Sequence, residues 1–584
     1  MRKTNLFHLV LFLILLATQL SNAEPSTNND RIVFNSVGYE SAFPIHAHYI
    51  SSQAQTSREI ALVSTEDGST VHVSNLGPAR FDWFASNYTH LIEFPSGIPA
   101  GNYEIRMDEQ LSETILVQTD VNEKALLPLL RSFYLQRCGH VILDRISGMQ
   151  RPACHVYDGY LAHDKPDRFI GAIGGWHDAG DYGKYVATTA VAVGNLLFSY
   201  ELDPGFYANF NLSIPESDNA LPDLLDESKV GLDWMLRMQR EDGAVYRKLS
   251  GKKWPPLITP HADTQPRFVY GVTTSDTAKT AAAFAQAARI FAAYDADYST
   301  QLLVAAKNAW SYLLPIGEQE FDYRDGDDSG SGPYRANDTD REEALTYDWD
   351  DRIWAAAELF LTTGNPAFKS YVLEHLDQAK VEIFEWKNPS LFALYHAIHF
   401  NEFGLTTEQK YKLTQRVVTR ANEALRNHQD SPYNIANNDF IWGSNKMAAE
   451  EGVILMIAFA LTQEEVYRNA AVDQVNYLFG DNAFGLNFVS GLNKKSVKDV
   501  SHIYGRAAEI TIPGLLVGGP NDFAQANIAP KWAAHMSYID DGRSYATNEY
   551  AIDYNASLIA LLTHIKFSLS DNPRFSYSLC DECR

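Results

Sequence analysis

The chain has 584 residues, of which 45% are hydrophobic and 12% aromatic, and it carries 48 basic against 73 acidic side chains. A chain of this length and apolar content exceeds one ordinary domain, so we expect at least two domains. The formal net charge of −25 repels polyphosphates and anionic lipids, which argues against a nucleic-acid-binding protein.

Residues 1–23 are typical of a secretory signal peptide. Arg2 and Lys3 precede an apolar run, and small-residue spacing ends at Ala23. A membrane anchor is the less favoured alternative, because the run is short for a bilayer span and polar residues follow at once. We therefore expect cleavage after Ala23 and a secreted or periplasmic protein, monomeric and without a membrane span.

The remaining chain has two parts that differ in the spacing of their apolar residues. Residues 30–119 alternate apolar and polar side chains in short runs such as REIALVST, which predicts a small β-sandwich. Over 122–570, about a dozen segments such as TAVAVGNLLFSYEL show helical apolar spacing, which suggests stacked helical hairpins that close into a toroid with a cleft on one rim. In the tail, 571–584, Cys580 and Cys583 are expected to form a local disulfide.

A glycine-rich stretch, GGWHDAGDYGKY, carries two carboxylates. Asp178 and Asp181 are separated by two small residues, so a turn can direct both acids toward one water molecule. Helix capping is the alternative, because an Asp in front of a helix is a common N-cap. The flanking glycines and Trp176, which offers a flat face to a sugar ring, favour a catalytic role.

A carbohydrate hydrolase also needs a carboxyl group that stays protonated near neutral pH. Glu549, in the stretch SYATNEYAIDYNASLIALL, precedes a strongly apolar helix, and burial there would raise its pKa. Helix capping is an equal alternative, with Asn548 or Thr547 as the cap and Glu549 at the positive end of the helix dipole.

Two cysteines and two histidines flank the aspartates: Cys138, Cys154, His155 and His177. Two thiolates and two imidazoles make a closed tetrahedral zinc site with no open position for a substrate. Such a metal is structural and would fasten the loop that carries the aspartates. A disulfide between the two cysteines is the alternative, given the export signal.

These motifs resemble bacterial glycoside hydrolase family 9, in the subgroup with an N-terminal immunoglobulin-like domain. IVFNSVGYE is similar to the first strand of that domain, RSFYLQRCG and RPACH to its zinc half-sites, GGWHDAGDYGKYV to its aspartate loop and NEYAIDYNA to its acid segment. The resemblance implies an immunoglobulin-like β-sandwich followed by an all-α (α/α)6 barrel. It also implies a structural zinc ion on the four ligands and inverting, endoglucanase-like cleavage of β-1,4-linked glucans, either cellulose-like polysaccharides or cello-oligosaccharides. Asp181 would be the general base, Asp178 would hold the attacking water, and Glu549 would be the general acid.

The chain departs from the family pattern near the sugar contacts. NKKSVKDVSHIYGR stands where many members carry a proline and two adjacent histidines before an arginine, which leaves His502 and Arg506 as the equivalents. Aromatic residues of the barrel region are further candidates for stacking on sugar rings, against the alternative that they are core residues: Trp254, Tyr270, Trp442 and Tyr545.

The family also often binds calcium near the segment that reads LTYDWDDRIW here. Its oxygen ligands would be Thr346, Asp348, Asp350 and Asp351. Lys387, however, stands near an expected acidic ligand and could replace the ion with its own charge. Calcium and a solvated acidic loop therefore stay open as alternatives.

Two other functions use the same motifs. The first is exo-action on short oligosaccharides, as a β-glucosidase, a cellodextrinase or an exo-β-glucosaminidase, which the altered histidine motif favours. The second is a sugar-binding protein without turnover, against which the retention of Asp178, Asp181 and Glu549 argues.

Overall fold

The computed structural model describes residues 30–162, 168–317 and 347–570. The predicted signal peptide, Thr346 and the cysteine pair of the tail lie outside these ranges. Within them, strands make up the N-terminal part, and the helical part begins at Val121.

The strands of the N-terminal part form two sheets around a shared core. Their bounds are β1 Arg31–Phe34, β2 Tyr39–Glu40, β3 Ile45–Ser51, β4 Glu59–Ser64, β5 Thr70–Asn75, β6 Arg80–Asp82, β7 Asn87–Phe94, β8 Gly101–Met107, β9 Gln110–Leu111 and β10 Ile115–Gln118. One sheet has the order β1-β3-β7-β6 and the other β2-β10-β8-β4-β5, with β9 on β8. Alternate residues, such as Ile45, Ala47 and Tyr49, point into the core. This is the predicted sandwich, produced by the period-two pattern.

The long helices of the described ranges alternate between two layers. Their bounds are α1 Val121–Gln136, α2 Val186–Leu202, α3 Asp223–Met238, α4 Thr274–Phe291, α5 Ala296–Leu313, α6 Trp349–Thr363, α7 Pro366–His375, α8 Ser390–His399, α9 Thr407–Asp430, α10 Ser444–Thr462, α11 Glu465–Leu478 and α12 Ile552–Phe567. The even-numbered helices are buried along most of their length, whereas α9 and the other odd-numbered helices keep a polar face.

The even-numbered helices form the inner ring of the barrel. In this ring, α12 packs on α2 and α10, α2 on α4, α4 on α6 and α6 on α8, while α9 contacts both α8 and α10. Each odd-numbered helix lies outside an inner one, which gives the expected (α/α)6 arrangement. The inner helices are therefore parallel, and their first turns gather buried polar side chains at one end of the barrel: Thr188, Asp276, Asp350, Asp351, Ser390, Lys446 and Asp553.

Short strands brace the loops at that end. Strands β11 Ile142–Leu143 and β12 Gln150–Arg151 form a hairpin, while β13 Tyr160–Leu161, β14 Lys184–Tyr185, β15 Tyr246–Gly251 and β16 Arg267–Val272 form a sheet in the order β13-β16-β15-β14. Because β14 leads directly into α2, this sheet holds the aspartate loop at the start of an inner helix.

The sandwich is bound to the barrel through buried polar pairs. His46 Nδ1 lies 2.8 Å from Asp473 Oδ1, and His48 Nδ1 lies 2.9 Å from Asp481 Oδ1. His535 Nε2 lies 2.8 Å from Asp82 Oδ2. None of the helices in the described part of the chain is long and apolar enough to cross a bilayer.

Candidate active site

Backbone pairing joins the aspartate loop to the segment before α12. The N–H of Ile552 donates to the carbonyl of Asp178 at 2.8 Å, and Ala179 pairs with Ala551. A Cβ on Gly180 would lie 2.9 Å from Glu549 Oε1 and 2.1 Å from the carbonyl oxygen of Ser501. Only glycine fits this approach, so the small residues between the aspartates bring the acidic groups of both loops together.

Asp181 has one engaged and one free carboxylate oxygen. The Tyr185 hydroxyl donates to Oδ2 at 3.0 Å, whereas Oδ1 is buried and has no partner. Burial raises the pKa of Asp181, but hydrogen bonds from Tyr185 and Gly183 and the charges of Arg267 and Lys248 oppose that rise. The free oxygen can therefore accept a proton from a bound water.

Asp178 lies deeper in the same loop. Its Oδ1 accepts a hydrogen bond from the Thr188 hydroxyl in the first turn of α2. Burial, followed by the negative charge of Asp553, raises the pKa of Asp178 well above its usual range. No cation opposes this rise, which distinguishes Asp178 from Asp181 and makes it the weaker candidate for a charged base.

Glu549 is a partly buried carboxyl group on extended backbone. Burial, followed by the charges of Asp181 and Asp178, raises the pKa of Glu549 well above its usual range. It follows the short helix Tyr545–Asn548, whereas α12 begins only at Ile552 with Ala551 as its cap. The helix-capping alternative for Glu549 is therefore wrong. The capping alternative for Asp181 is wrong as well, because Tyr185 occupies the N-cap of α2.

The four zinc candidates meet beside the aspartate loop. Their ligand atoms all lie within 4.8 Å of one another: His177 Nε2 is 3.3 Å from His155 Nδ1, Cys138 Sγ is 3.7 Å from His155 Nδ1, and Cys154 Sγ is 3.7 Å from His177 Nε2. A tetrahedral zinc ion with ligands at about 2.0–2.3 Å separates its ligand atoms by about 3.3–3.8 Å, so the spacing fits this ion. Both cysteines are free thiols, not the alternative disulfide.

The protonation states of this group also suit a metal. The hydrogen bond with Cys138 and the charge of Arg151, against the effect of burial, lower the pKa of Cys154 to about 6, which favours the thiolate. Burial lowers the pKa of His177 to about 4, which leaves a neutral imidazole. Behind His155, Nε2 lies 3.5 Å from Asp263 Oδ2, an arrangement that orients ligating histidines in metal sites.

Two predicted sugar contacts are wrong in this structure. Trp176 is fully buried, and its indole N–H donates to Glu227 Oε1 at 2.7 Å, so it presents no face to a sugar. The ring of His502 is also buried. Its Nδ1 accepts from the Gly505 N–H, and its Nε2 lies 2.9 Å from Gln136 Nε2, so both nitrogens are used inside the protein.

The other predicted sugar contacts differ in how exposed their side chains are. Arg506 is exposed and lines a cavity of about 540 Å³ beside the Ser501 segment. Trp254 is exposed in the connection between β15 and β16, and Trp442 lies 5.7 Å from exposed Tyr545 between ring centroids. Tyr270, by contrast, is buried within β16 and is a core residue.

The three described calcium candidates, Asp348, Asp350 and Asp351, do not form a group whose ligand atoms are close enough to hold a metal. Within the described ranges, the zinc candidates are the only His, Cys, Asp and Glu group close enough to hold a metal. Lys279 Nζ lies 2.6 Å from Asp351 Oδ1, and Asp348 pairs with Arg352. Lys279 thus places a positive charge against Asp351 in the segment for which calcium and a lysine were the alternatives. Burial and the neighbouring Asp351 raise the pKa of Asp350 well above its usual range.

Sequence reasoning missed the buried charges that support these loops. Lys184, within the glycine-rich stretch itself, lies 2.9 Å from Asp158 and donates to the carbonyls of Ala172 and Gly174. Asp553, in the first turn of α12, faces Lys446 at 3.5 Å. The only signal for either residue was a charge next to a motif, which is equally typical of a solvated surface.

Comparison with known proteins agrees with this geometry. The family model for glycosyl hydrolase family 9 matches residues 123–562, and the model for the cellulase N-terminal ig-like domain matches residues 27–112. A xyloglucan-specific endo-beta-1,4-glucanase of Bacteroides ovatus is 31% identical over 571 residues, which cover 93% of this chain and 95% of the relative.

Solved structures give the same result. A metagenome-derived glycoside hydrolase family 9 endoglucanase is 37% identical with a TM-score of 0.85, covering 92% of this chain and 99% of that one. A Zn-binding triple mutant of the family 9 endoglucanase J30 is 32% identical with a TM-score of 0.83, covering 90% and 99%. The chain therefore belongs to glycosyl hydrolase family 9, and it is an enzyme that hydrolyses β-1,4-glucans with inversion.

Proposed function

We propose that Asp181 is the general base and Glu549 the general acid of this β-1,4-glucan hydrolase, with Asp178 holding the attacking water. The observation that carries the assignment is the difference between the carboxyl groups. Arg267 and Lys248 favour the charged form of Asp181, whereas burial beside two other acids favours the neutral form of Glu549. Carboxyl groups whose environments differ in this way divide into a base and an acid.

The reaction then proceeds by a single displacement. Glu549 donates its proton to the glycosidic oxygen as the bond to the anomeric carbon breaks. Asp181 Oδ1 accepts a proton from water, whose oxygen forms the new bond on the opposite face of the sugar. Inverting enzymes hold their two carboxyl groups about 6.5–9.5 Å apart, which leaves room for this water. The product has the inverted α-configuration, and the two carboxyl groups have exchanged their protonation states.

The pH dependence of kcat/KM tests this pair. Asp181 must be charged, and because its pKa is raised, activity should fall on the acidic side at a higher pH than the value of about 4 for an ordinary aspartate. Glu549 must be protonated, so activity should also fall on the alkaline side as it loses its proton. We expect a bell-shaped profile on cellopentaose.

The Glu549→Gln variant tests the alkaline side of this profile, its alkaline limb. Its residual activity is measured on a dinitrophenyl glycoside, whose leaving group needs no proton. We expect that this activity no longer falls at alkaline pH. An alkaline limb that persists unchanged in this variant contradicts the assignment of the acid.

We further propose that Cys138, Cys154, His155 and His177 hold one structural zinc ion. The ligand spacing, the favoured thiolate and the neutral imidazole support this ion. When bound, it would fix the loop that precedes Asp178, and because all four positions are protein ligands it would activate no water. The aspartates, and not the metal, carry the chemistry.

Metal analysis tests the zinc proposal without reference to activity. The purified protein should contain about one zinc per chain, and Cys154→Ser should lose it and unfold at a temperature lower by on the order of 10 °C. His140→Ala, in the same stretch but outside the group, should keep both zinc and stability. Unchanged melting of the wild-type protein after complete chelation would contradict a structural ion.

We also propose that the enzyme is exported to the periplasm or the medium. The support is the charged start, apolar run and small-residue ending of residues 1–23. Mass spectrometry of the mature N-terminus should find Glu24 as its first residue.

A further inference from the structure

Several large aromatic side chains are exposed on the sandwich tip and on the barrel loops that precede Glu549. Phe81, Trp83 and Phe84 form the tip between β6 and β7 of the sandwich, while Trp532 and Tyr545 lie on loops of the barrel. Their exposed fractions are 39%, 81%, 53%, 64% and 44% in that order. We name these five residues the aromatic rim. Contiguous exposed apolar surface, unlike a single exposed apolar residue, marks interaction or ligand-binding sites.

The sandwich tip is fixed to the barrel and does not project freely. Asp82 Oδ1 accepts hydrogen bonds from the N–H groups of Phe84 and Ala85 at 3.0 and 3.2 Å, and its Oδ2 lies 2.8 Å from His535 Nε2. The ring of Phe84 contacts the ring of His535 edge-on, with centroids 5.9 Å apart. The buried carboxylate thus orients the tip and ties it to the loop that contains Trp532.

Trp532 is held in an unfavourable backbone conformation. Its φ of 57° lies in the left-handed region, where a large side chain is strained. Its N–H donates to the Asp522 carbonyl at 3.0 Å, and its ring packs edge-on against buried Phe523 at 4.9 Å. Strain of this kind persists only where the surrounding structure holds it in place, and it is frequent at ligand-binding sites. Here it presents an indole that is 64% exposed.

The loops that carry the aromatic rim are linked to the segment before Glu549 by contacts between neighbouring residues. Tyr545, on the short helix before Glu549, lies near Trp442, and two residues earlier in the chain Phe440 accepts a backbone hydrogen bond from Asp522 at 2.8 Å. Phe440 also contacts the ring of His535, at 6.2 Å between centroids. These contacts place the loop of Trp532 and the sandwich tip beside the segment that carries Tyr545 and Glu549.

We propose that the aromatic rim binds the part of a β-1,4-glucan chain that extends beyond the site of cleavage, so that the sandwich tip is a carbohydrate-binding surface. The C–H faces of glucose rings pack on aromatic planes, and a neutral polymer needs no charge complementarity. Lys531 and Asn527 are exposed beside Trp532 and supply hydrogen-bonding groups. Lys531 Nζ donates to Asn527 Oδ1 at 2.6 Å. In this proposal the sandwich tip and Trp532 contact only a long substrate, whereas Tyr545, on the short helix before Glu549, is also within reach of a short oligosaccharide.

The test compares long and short substrates. Trp83→Ala and Trp532→Ala should each raise KM for soluble hydroxyethyl cellulose by about 3–10-fold, the loss expected from one aromatic contact. Both variants should migrate faster than wild type in native gels that contain this polymer. Hydrolysis of cellotetraose reports the catalytic residues separately and should not change. Tyr411→Ala, which removes an equally exposed aromatic ring at the start of α9, is the matched control and should behave as wild type.

Three results would overturn the proposal. The first is an unchanged KM and unchanged gel migration in both variants. The second is an equal loss on cellotetraose and on the polymer, which would assign these residues to the catalytic site itself. The third is a dimer in the wild type that Trp83→Ala dissociates, which would make the rim an interface between two copies of the chain. The comparison requires that all variants unfold at the same temperature as the wild type. We expect this result because the substituted rings are exposed, and substitutions at exposed positions change stability little.

Discussion

Glu549→Gln is expected to lower kcat on cellopentaose by about 10³–10⁴-fold, the upper range for loss of a general acid. Glutamine has the shape of the protonated glutamic acid but cannot transfer a proton to the departing sugar oxygen. Because burial raises the pKa of Glu549 well above its usual range and so favours the neutral form, the substitution is expected to preserve both charge and volume in the site. Steady-state kinetics with a chromatographic assay of the products measures the loss.

Binding provides the control for this variant. Isothermal titration of cellopentaose should give a dissociation constant for Glu549→Gln within a few-fold of the wild-type KM, because no sugar contact has been removed. The result also separates an enzyme from a sugar-binding protein. Equal turnover by the variant and the wild type would remove Glu549 from the mechanism.

Asp181→Asn should reduce kcat to a similar or greater extent. An amide cannot accept the proton of the attacking water, and Oδ1 is the carboxylate oxygen that the protein leaves without a partner. The variant retains an acceptor for the Tyr185 hydroxyl, so the loop should keep its conformation. Hydrolysis of cellopentaose and circular dichroism should therefore show an inactive, folded protein.

Two matched variants define how specific this loss is. Asp226→Asn replaces another buried carboxyl group, on the outer helix α3, and should retain nearly full activity. Asp178→Asn should lose activity, but less than Asp181→Asn, because Asp178 orients the attacking water and does not accept its proton. A larger loss at Asp178 than at Asp181 would reverse the two roles.

The overall architecture was predictable because it depends on periodicity. The alternation in β3 and the continuous apolar spacing of α2 and α12 each specify which face is buried, and these patterns are local. The metal group was also predictable, since cysteines and histidines combine in few ways. The two aspartates could be proposed from their glycine-rich setting, whereas Glu549 required the resemblance, because a lone Glu before a helix is equally well explained as a cap.

The wrong predictions share a physical cause. Trp176, His502 and Tyr270 are residue types that both bind sugars and fill cores, and only tertiary packing decides which role they have. The ion pair of Asp351 with Lys279 joins α6 to α4, more than 70 positions apart, so no local pattern could have found it. Of the five residues of the aromatic rim, only Tyr545 was predicted as a sugar contact, because the rim is assembled from the sandwich tip and two loops that are distant in sequence.

The leaving-group dependence of the two variants, measured side by side, tests the central claim most directly. The rate constants for a 2,4-dinitrophenyl cellobioside and for cellotriose are compared in Glu549→Gln and Asp181→Asn. We predict that the activated leaving group restores most of the activity of Glu549→Gln, because it departs without a proton, and restores little to Asp181→Asn, which still lacks its base. Recovery of Asp181→Asn and not of Glu549→Gln, or equal recovery of both, would contradict the assignment of acid and base.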